Sequence, residues 1–152
     1  MSEYRIEKVR RRVSIMLEGG QQIRGDLFLQ PTARYRPGPQ DPADLLDEPE
    51  PFFPVAADGD ELVLVAKNQV RWVEFALDHA DTDLGGVAAA NVKVTFTDGS
   101  SANGALRLET RVDRPRLLDF LNADHQQFLR LHTPQGICLV NRSKIAQVRQ
   151  RR

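Results

Sequence analysis

Two stretches of this chain repeat one another, and that repeat limits the possible folds more than any other feature. A shift of 79 residues places Val13, Ile15 and Leu17 on Val92, Val94 and Phe96, Gly20 on Gly99, Gly25 on Gly104, and Leu27 and Leu29 on Leu106 and Leu108. A shift of 75 places Phe53 on Phe128, Leu62 and Leu64 on Ile137 and Leu139, Lys67 on Arg142, Val70 on Ile145 and Val73 on Val148. Between these blocks, Leu45-Leu46-Asp47 matches Leu117-Leu118-Asp119 at a shift of 72. The same turn glycines, Leu-Leu-Asp step and closing strands in the same order are the signature of one small unit built twice. The changing shift records loop lengths, with seven extra residues in the first copy before Leu-Leu-Asp and three in the second copy after it.

Each copy opens with apolar residues at every second position around a glycine turn, Glu18-Gly19-Gly20 or Asp98-Gly99. This is the pattern of a hairpin with one buried face, because glycine adopts positive φ without steric cost. Each copy closes on a second strand pair around a polar turn, Leu64 to Val73 and Leu139 to Val148, whose imperfect alternation predicts a bend. Pro31, Pro37, Pro39 and Pro42 argue against a central strand in the first copy's longer middle. Residues 113–122 read as a short helical turn capped by Asp113 and stopped at Asn122, and the counterpart near Pro49 and Pro51 is expected to be less regular. The expected fold is therefore mainly β: two tandem small bent-sheet barrels with a short helical turn. The first spans 1–76 and carries an acidic, proline-rich insertion at 31–51; a linker at 77–90 leads to the second at 91–152.

The 152 residues, 41% hydrophobic and 28% charged, suit a globular chain, and units this small are marginal alone, so mutual support or oligomers are expected. No apolar run is long enough to span a bilayer, and the charged start lacks a signal-peptide core; a bacterial-type cytoplasmic location with no membrane partner is expected. The single cysteine, Cys138, sits in an apolar run and reads as a buried, inert thiol. Net charge is zero, yet residues 1–12 carry five cations against two anions (+3) and residues 142–152 five against none (+5), leaving −8 between.

A strand, a glycine turn and a strand with a central glycine, then strands around a polar turn, resemble the Sm-like (LSm-like) small β-barrel family in tandem, bacterial-type form. The residues that carry the resemblance are Val13 to Leu29 and Leu62 to Val73, with Val92 to Leu108 and Ile137 to Val148. Sm-like membership implies ring-forming self-association through terminal strands, and in many members RNA bound on turns. Neither copy has that family's closely spaced Asp and Asn after the first block, and the second block lacks its Arg-Gly turn. Lys67, Asn68, Asn141, Arg142 and Ser143 are the nearest positional equivalents.

Candidate nucleic-acid contacts are Arg10, Arg11, Arg12, Lys67, Asn68, Asn141, Arg142 and Lys144, since phosphates need clustered cationic donors. Aromatics for base stacking are few beside them. Arg10 to Arg12 with Asp98-Gly99-Ser100-Ser101-Ala102-Asn103-Gly104 come near a cyclic-dinucleotide receptor motif of PilZ type, although the glycine falls one residue late. His79, His125 and His132 stand apart, and no nucleophile elbow or phosphate loop is present, so no catalytic residue, metal or cofactor is expected. Asp124-His125 reads as surface polarity, and Asp78, Asp81 and Asp83 as solvated linker. Trp72, Phe75 and Phe52-Phe53 are the aromatics placed to join the two copies. The leading expectation is a non-enzymatic binding or assembly module that self-associates or takes a protein partner, with RNA the alternative ligand.

Overall fold

The computed structural model describes residues 8–33, 37–77, 88–108, 117–123 and 126–151. They form two compact units, Met1–Val70 and Arg71–Arg152, and among the described residues carry ten strands and two short α-helices. The protein is mainly β.

In the first unit β1 (Val9–Leu17), β2 (Gln22–Leu29), β3 (Phe52–Ala57) and β4 (Glu61–Ala66) pair antiparallel in chain order. Ile15 opposes Ile23 and Val13 opposes Gly25, so alternation turns Val13, Ile15, Ile23, Leu27 and Leu29 onto one buried face, completed by Phe53, Val55 and Val65. The β1–β2 turn uses Gly19 at φ 84° and Gly20 at φ 89°, the conformation its sequence requires. No strand lies between Leu29 and Phe52 among the described residues. Instead α1 (Pro42–Leu46) is a single clean turn: Asp41 accepts from the Ala43 N–H at 2.7 Å, Asp44 accepts from the Asp41 N–H at 2.8 Å, and Pro42 occupies the first helical turn, where no N–H is needed. The expected irregularity is absent because Pro49 and Pro51 follow the helix rather than interrupt it. Buried Gln40 anchors the excursion, its side chain accepting from the Gln30 N–H at 3.0 Å and donating to Glu48 at 2.7 Å.

The second unit holds β6 (Ala88–Phe96), β7 (Ser101–Leu108), α2 (Leu117–Ala123), β8 (Phe128–Thr133), β9 (Gly136–Asn141) and β10 (Ile145–Arg151). Arg71–Phe75 of β5 (Val70–Phe75) also belongs to it, and its strand order is β10-β6-β7-β8-β9-β5. The repeat assigns β5 to the first copy, whereas the compact units divide at Val70–Arg71. Residues 78–87, within the expected linker, lie outside the described residues, but Ala88-Ala89-Ala90 open β6 and are not linker. The β10–β6 register shifts between Ile145 and Gln147, an irregularity at the position where the second copy's bend is expected.

Three details depart from the sequence alignment. Neither unit closes into a barrel: among the described residues no pairing joins β4 to β1, or β5 to β10. Phe53 opposes Val65 while Leu129 opposes Val140, so Phe53 corresponds to Leu129 rather than Phe128; the β3–β4 turn is one residue longer than the β8–β9 turn. In α2, Leu117, Phe120 and Leu121 pack on the core at i, i+3 and i+4, which leaves Leu118 exposed although its counterpart Leu46 is buried.

Cys138 lies in the second core with Val92, Val94, Phe96, Leu131 and Val140. Burial, reinforced by Glu74, pushes its thiol far above the usual range. The folded protein is expected to resist thiol-specific reagents and to react at one site per chain in denaturant. Rapid stoichiometric labelling of the native protein would contradict this placement.

Candidate functional site

β1 carries Arg10, Arg11 and Arg12, and strand alternation puts Arg10 and Arg12 on one face with Arg11 on the other. Arg10 meets Asp26 at 3.3 Å and lies 5.5 Å over the Phe28 ring. Arg12 grips Asp58 through both guanidinium nitrogens at 2.5 and 2.6 Å, which holds the Asp58 carboxyl below its ordinary range. These two cations face carboxylates of their own unit, so the face they form is not a one-sign patch of the sort a phosphate backbone selects.

The polar-turn residues have internal work. Lys67, at the start of a 3-10 turn, donates to the Glu48 carbonyl beyond α1 at 2.6 Å, and partial burial lowers its ammonium despite nearby Glu48, Glu50 and Asp47. Arg142 occupies the equivalent turn and donates to the Leu121 carbonyl of α2 at 2.6 Å. Each cation thereby ties its turn to carbonyl groups at the end of a short helix, a favourable place for positive charge. Asn141, 1% exposed, accepts from the Ser143 N–H at 3.0 Å, the Ser143 hydroxyl at 2.8 Å and Gln127 at 2.7 Å. That carboxamide oxygen shapes the turn and faces no solvent. Asn68 is exposed and Lys144 half-buried.

At the β6–β7 turn, Asp98 accepts from the Ser100 N–H at 3.0 Å and the Ser100 hydroxyl at 2.7 Å, which hold its carboxyl low. Buried Arg71 of β5 pairs with it and lies 5.7 Å over the Trp72 ring, which stacks at 5.3 Å on Phe96. The Asp98-Gly99-Ser100 motif is thus accounted for as a locked turn. Sequence reading missed Arg71, whose one signal is that the repeat has Ala146 in its place. Asp78, His79, Asp81, Asp83, Asp124 and His125 lie outside the described residues. Among the described residues no three His, Cys, Asp or Glu gather as a metal would require, and no helix is long and apolar enough to cross a membrane.

The feature that folding does not explain lies on β3 and β4. Opposed pairs Phe52–Ala66, Pro54–Leu64 and Ala56–Leu62 build one apolar face, on which Phe52 is 57%, Leu62 64% and Leu64 65% exposed. Their sequence equivalents on β9, Ile137 and Leu139, are 2% and 0% exposed. The difference coincides with a neighbouring strand: Phe75 and Val73 of β5 lie opposite Ile137 and Leu139, whereas β4 has only β3 beside it among the described residues. A long apolar strand with an open edge is a ready template for another strand. The signal in the sequence was that Leu62 to Ala66 is apolar at every position, as in strands covered on both faces.

Comparison with protein-family models, with curated proteins and with solved structures gave no match.

Proposed function

We propose that this protein is a non-enzymatic assembly module, an internally duplicated Sm-like pseudo-dimer whose working surface is the open edge and apolar face of β3–β4. One observation carries the reading: the same strand position is buried in the second copy and uncovered in the first. Burying Leu62 and Leu64 would contribute about 1.5–3 kcal/mol each, a gain available only if another strand covers them.

Shared backbone detail supports duplication. Val13 faces Gly25 as Val92 faces Gly104. The Leu17 N–H donates to Gln21 and the Phe96 N–H to Ser100, both at 2.8 Å. The Lys67 N–H donates to Pro51 at 2.8 Å and the Arg142 N–H to Gln127 at 2.9 Å. In the second copy the last strand, β10, returns to pair with the first, β6, which favours an Sm-like bent sheet. RNA binding has less support, because Arg10, Arg12, Lys67 and Arg142 all spend cationic donors on acceptors of the protein itself.

Light scattering across a concentration series should give a mass above that of one chain, without bound nucleic acid. A strict monomer at every concentration would end the assembly reading, and co-purifying RNA released by salt would favour the alternative.

A further inference from the structure

Strand pairing gathers a one-sign patch on the outward face of the second unit. Val92, Val94 and Phe96 of β6 belong to the core, so alternation turns Asn91, Lys93 and Thr95 to the other face. The ladder carries these positions across the sheet. Arg149 opposes Lys93, which opposes Asn103; Arg151 opposes Asn91, which opposes Ala105; Gln147 opposes Thr95, which opposes Ser101. Arg107 joins the same face opposite Ala89. Arg149, Arg151 and Asn103 are exposed, and Lys93 and Arg107 are half-buried. No Asp or Glu occurs in β6, β7, β8, β9 or β10. Among the described residues no carboxylate pairs with Lys93, Arg149 or Arg151.

The first unit builds the same face and neutralises it. Moved by the shift of 79, Lys93 falls on Ser14, Ala105 on Asp26 and Arg107 on Phe28. There Asp26 meets Arg10, and Asp58 holds Arg12. In the second unit the place of Asp26 is held by Ala105 and that of Ser14 by a cation. Folding does not ask for this arrangement, because like charges set directly opposite each other, as Arg149 and Lys93 are, weaken a sheet. An anion between them would turn that repulsion into attraction.

We infer that this face docks an acidic, extended segment of a partner protein, with Asp or Glu at alternate positions. Same-face side chains recur about every 6.6–6.8 Å along β10 and β6, the spacing at which such a segment presents its carboxylates. Arg149 and Arg151 can each grip a carboxylate with two nitrogens, and Lys93 adds a third cation beside them. The neutral neighbours select peptide over phosphodiester. Asn91, Asn103 and Gln147 both donate and accept, which suits peptide groups, whereas a phosphodiester only accepts. The outward positions of β6, β7 and β10 hold no aromatic side chain for base stacking and no large apolar one to enter a bilayer.

The test is fluorescence anisotropy of a labelled peptide of alternating Glu and Ser, titrated with the full chain at low salt. The peptide should bind, and binding should weaken as salt rises. Arg149→Glu combined with Arg151→Glu should lower the affinity at least about tenfold, and Lys93→Gln alone about threefold. Trp72, stacked on Phe96 in the second unit, should keep its emission in both variants, which shows that the unit remains folded. Lys8→Glu combined with Arg24→Glu makes the same change of net charge on the first unit and should leave the affinity nearly unchanged. Equal losses in the two double variants would overturn the inference, because net charge rather than this face would then govern binding. No binding of the peptide would also overturn it, as would tighter binding of an oligothymidylate of equal charge or of vesicles containing phosphatidylserine. The β3–β4 reading stands or falls separately, on the mass of the assembly.

Discussion

Gly25→Ala is expected to cost the first unit more than about 3 kcal/mol, while Gly104→Ala, at the aligned position of the second unit, costs about 1–2 kcal/mol. The asymmetry is geometric. A Cβ at Gly25 would lie 2.3 Å from the Ala56 carbonyl oxygen, 2.7 Å from the Ala57 Cα and 2.9 Å from the Ala56 carbonyl carbon, all backbone atoms of β3. Relief requires β3 to move away from β2, and β3 carries Phe53 and Val55 into the core. At Gly104 the nearest atoms are the His132 carbonyl oxygen and Leu131 Cβ, both at 3.0 Å, so a few tenths of an ångström of adjustment suffice. At about 4–8 °C per kcal/mol for a unit of this size, Gly25→Ala should lower the melting temperature by at least about 12 °C. Hydrogen exchange should show amide protection lost on β2 and β3 before β7 and β8. Equal losses in the two variants would mean that the β2–β3 approach is not the constraint described here.

Both hairpins were legible because their information is local: Val13, Ile15 and Leu17, like Val92, Val94 and Phe96, alternate into glycine turns whose φ values follow from residue type. The position of Gly25 was also legible, but its reason was not, since β3 arrives from about thirty residues away and no pattern within β2 announces it. The one-residue error at Phe53 has a local cause. Two adjacent phenylalanines fit either alignment, and only the backbone pairing shows that the 58–60 turn is one residue longer than its counterpart. The candidate site was less legible because residue type does not report what a side chain already holds. Lys67 and Arg142 look like free phosphate donors in one dimension and are bound to Glu48 and Leu121 in three. Asn141 looks like a base reader and is enclosed within its own turn. Leu62 and Leu64 look like core, and in pattern they cannot be told from Ile137 and Leu139. What distinguishes the pairs is the presence or absence of a neighbouring strand, a long-range property.

That distinction yields the second large expected effect, read from one substitution made in both halves. Leu139→Asp places a carboxylate where exposure is 0%, between Arg130 on β8 and Val73 on β5 in the ladder. Leu139 is replaced at full loss of its burial, and an added carboxylate must either ionise in an apolar setting or take up a proton; a loss of about 4–5 kcal/mol is expected, enough to unfold the second unit. Leu64→Asp adds the same group where the side chain is 65% exposed, so the melting temperature of the isolated chain should hardly move. Its effect should fall on assembly instead, because covering β4 would bury the new charge and self-association should be lost. Thermal melts and light scattering on the two variants therefore separate core from docking surface. If Leu64→Asp unfolds the chain as Leu139→Asp does, the β3–β4 face is core rather than a docking surface. If it leaves both melting and assembly untouched, assembly uses some other surface.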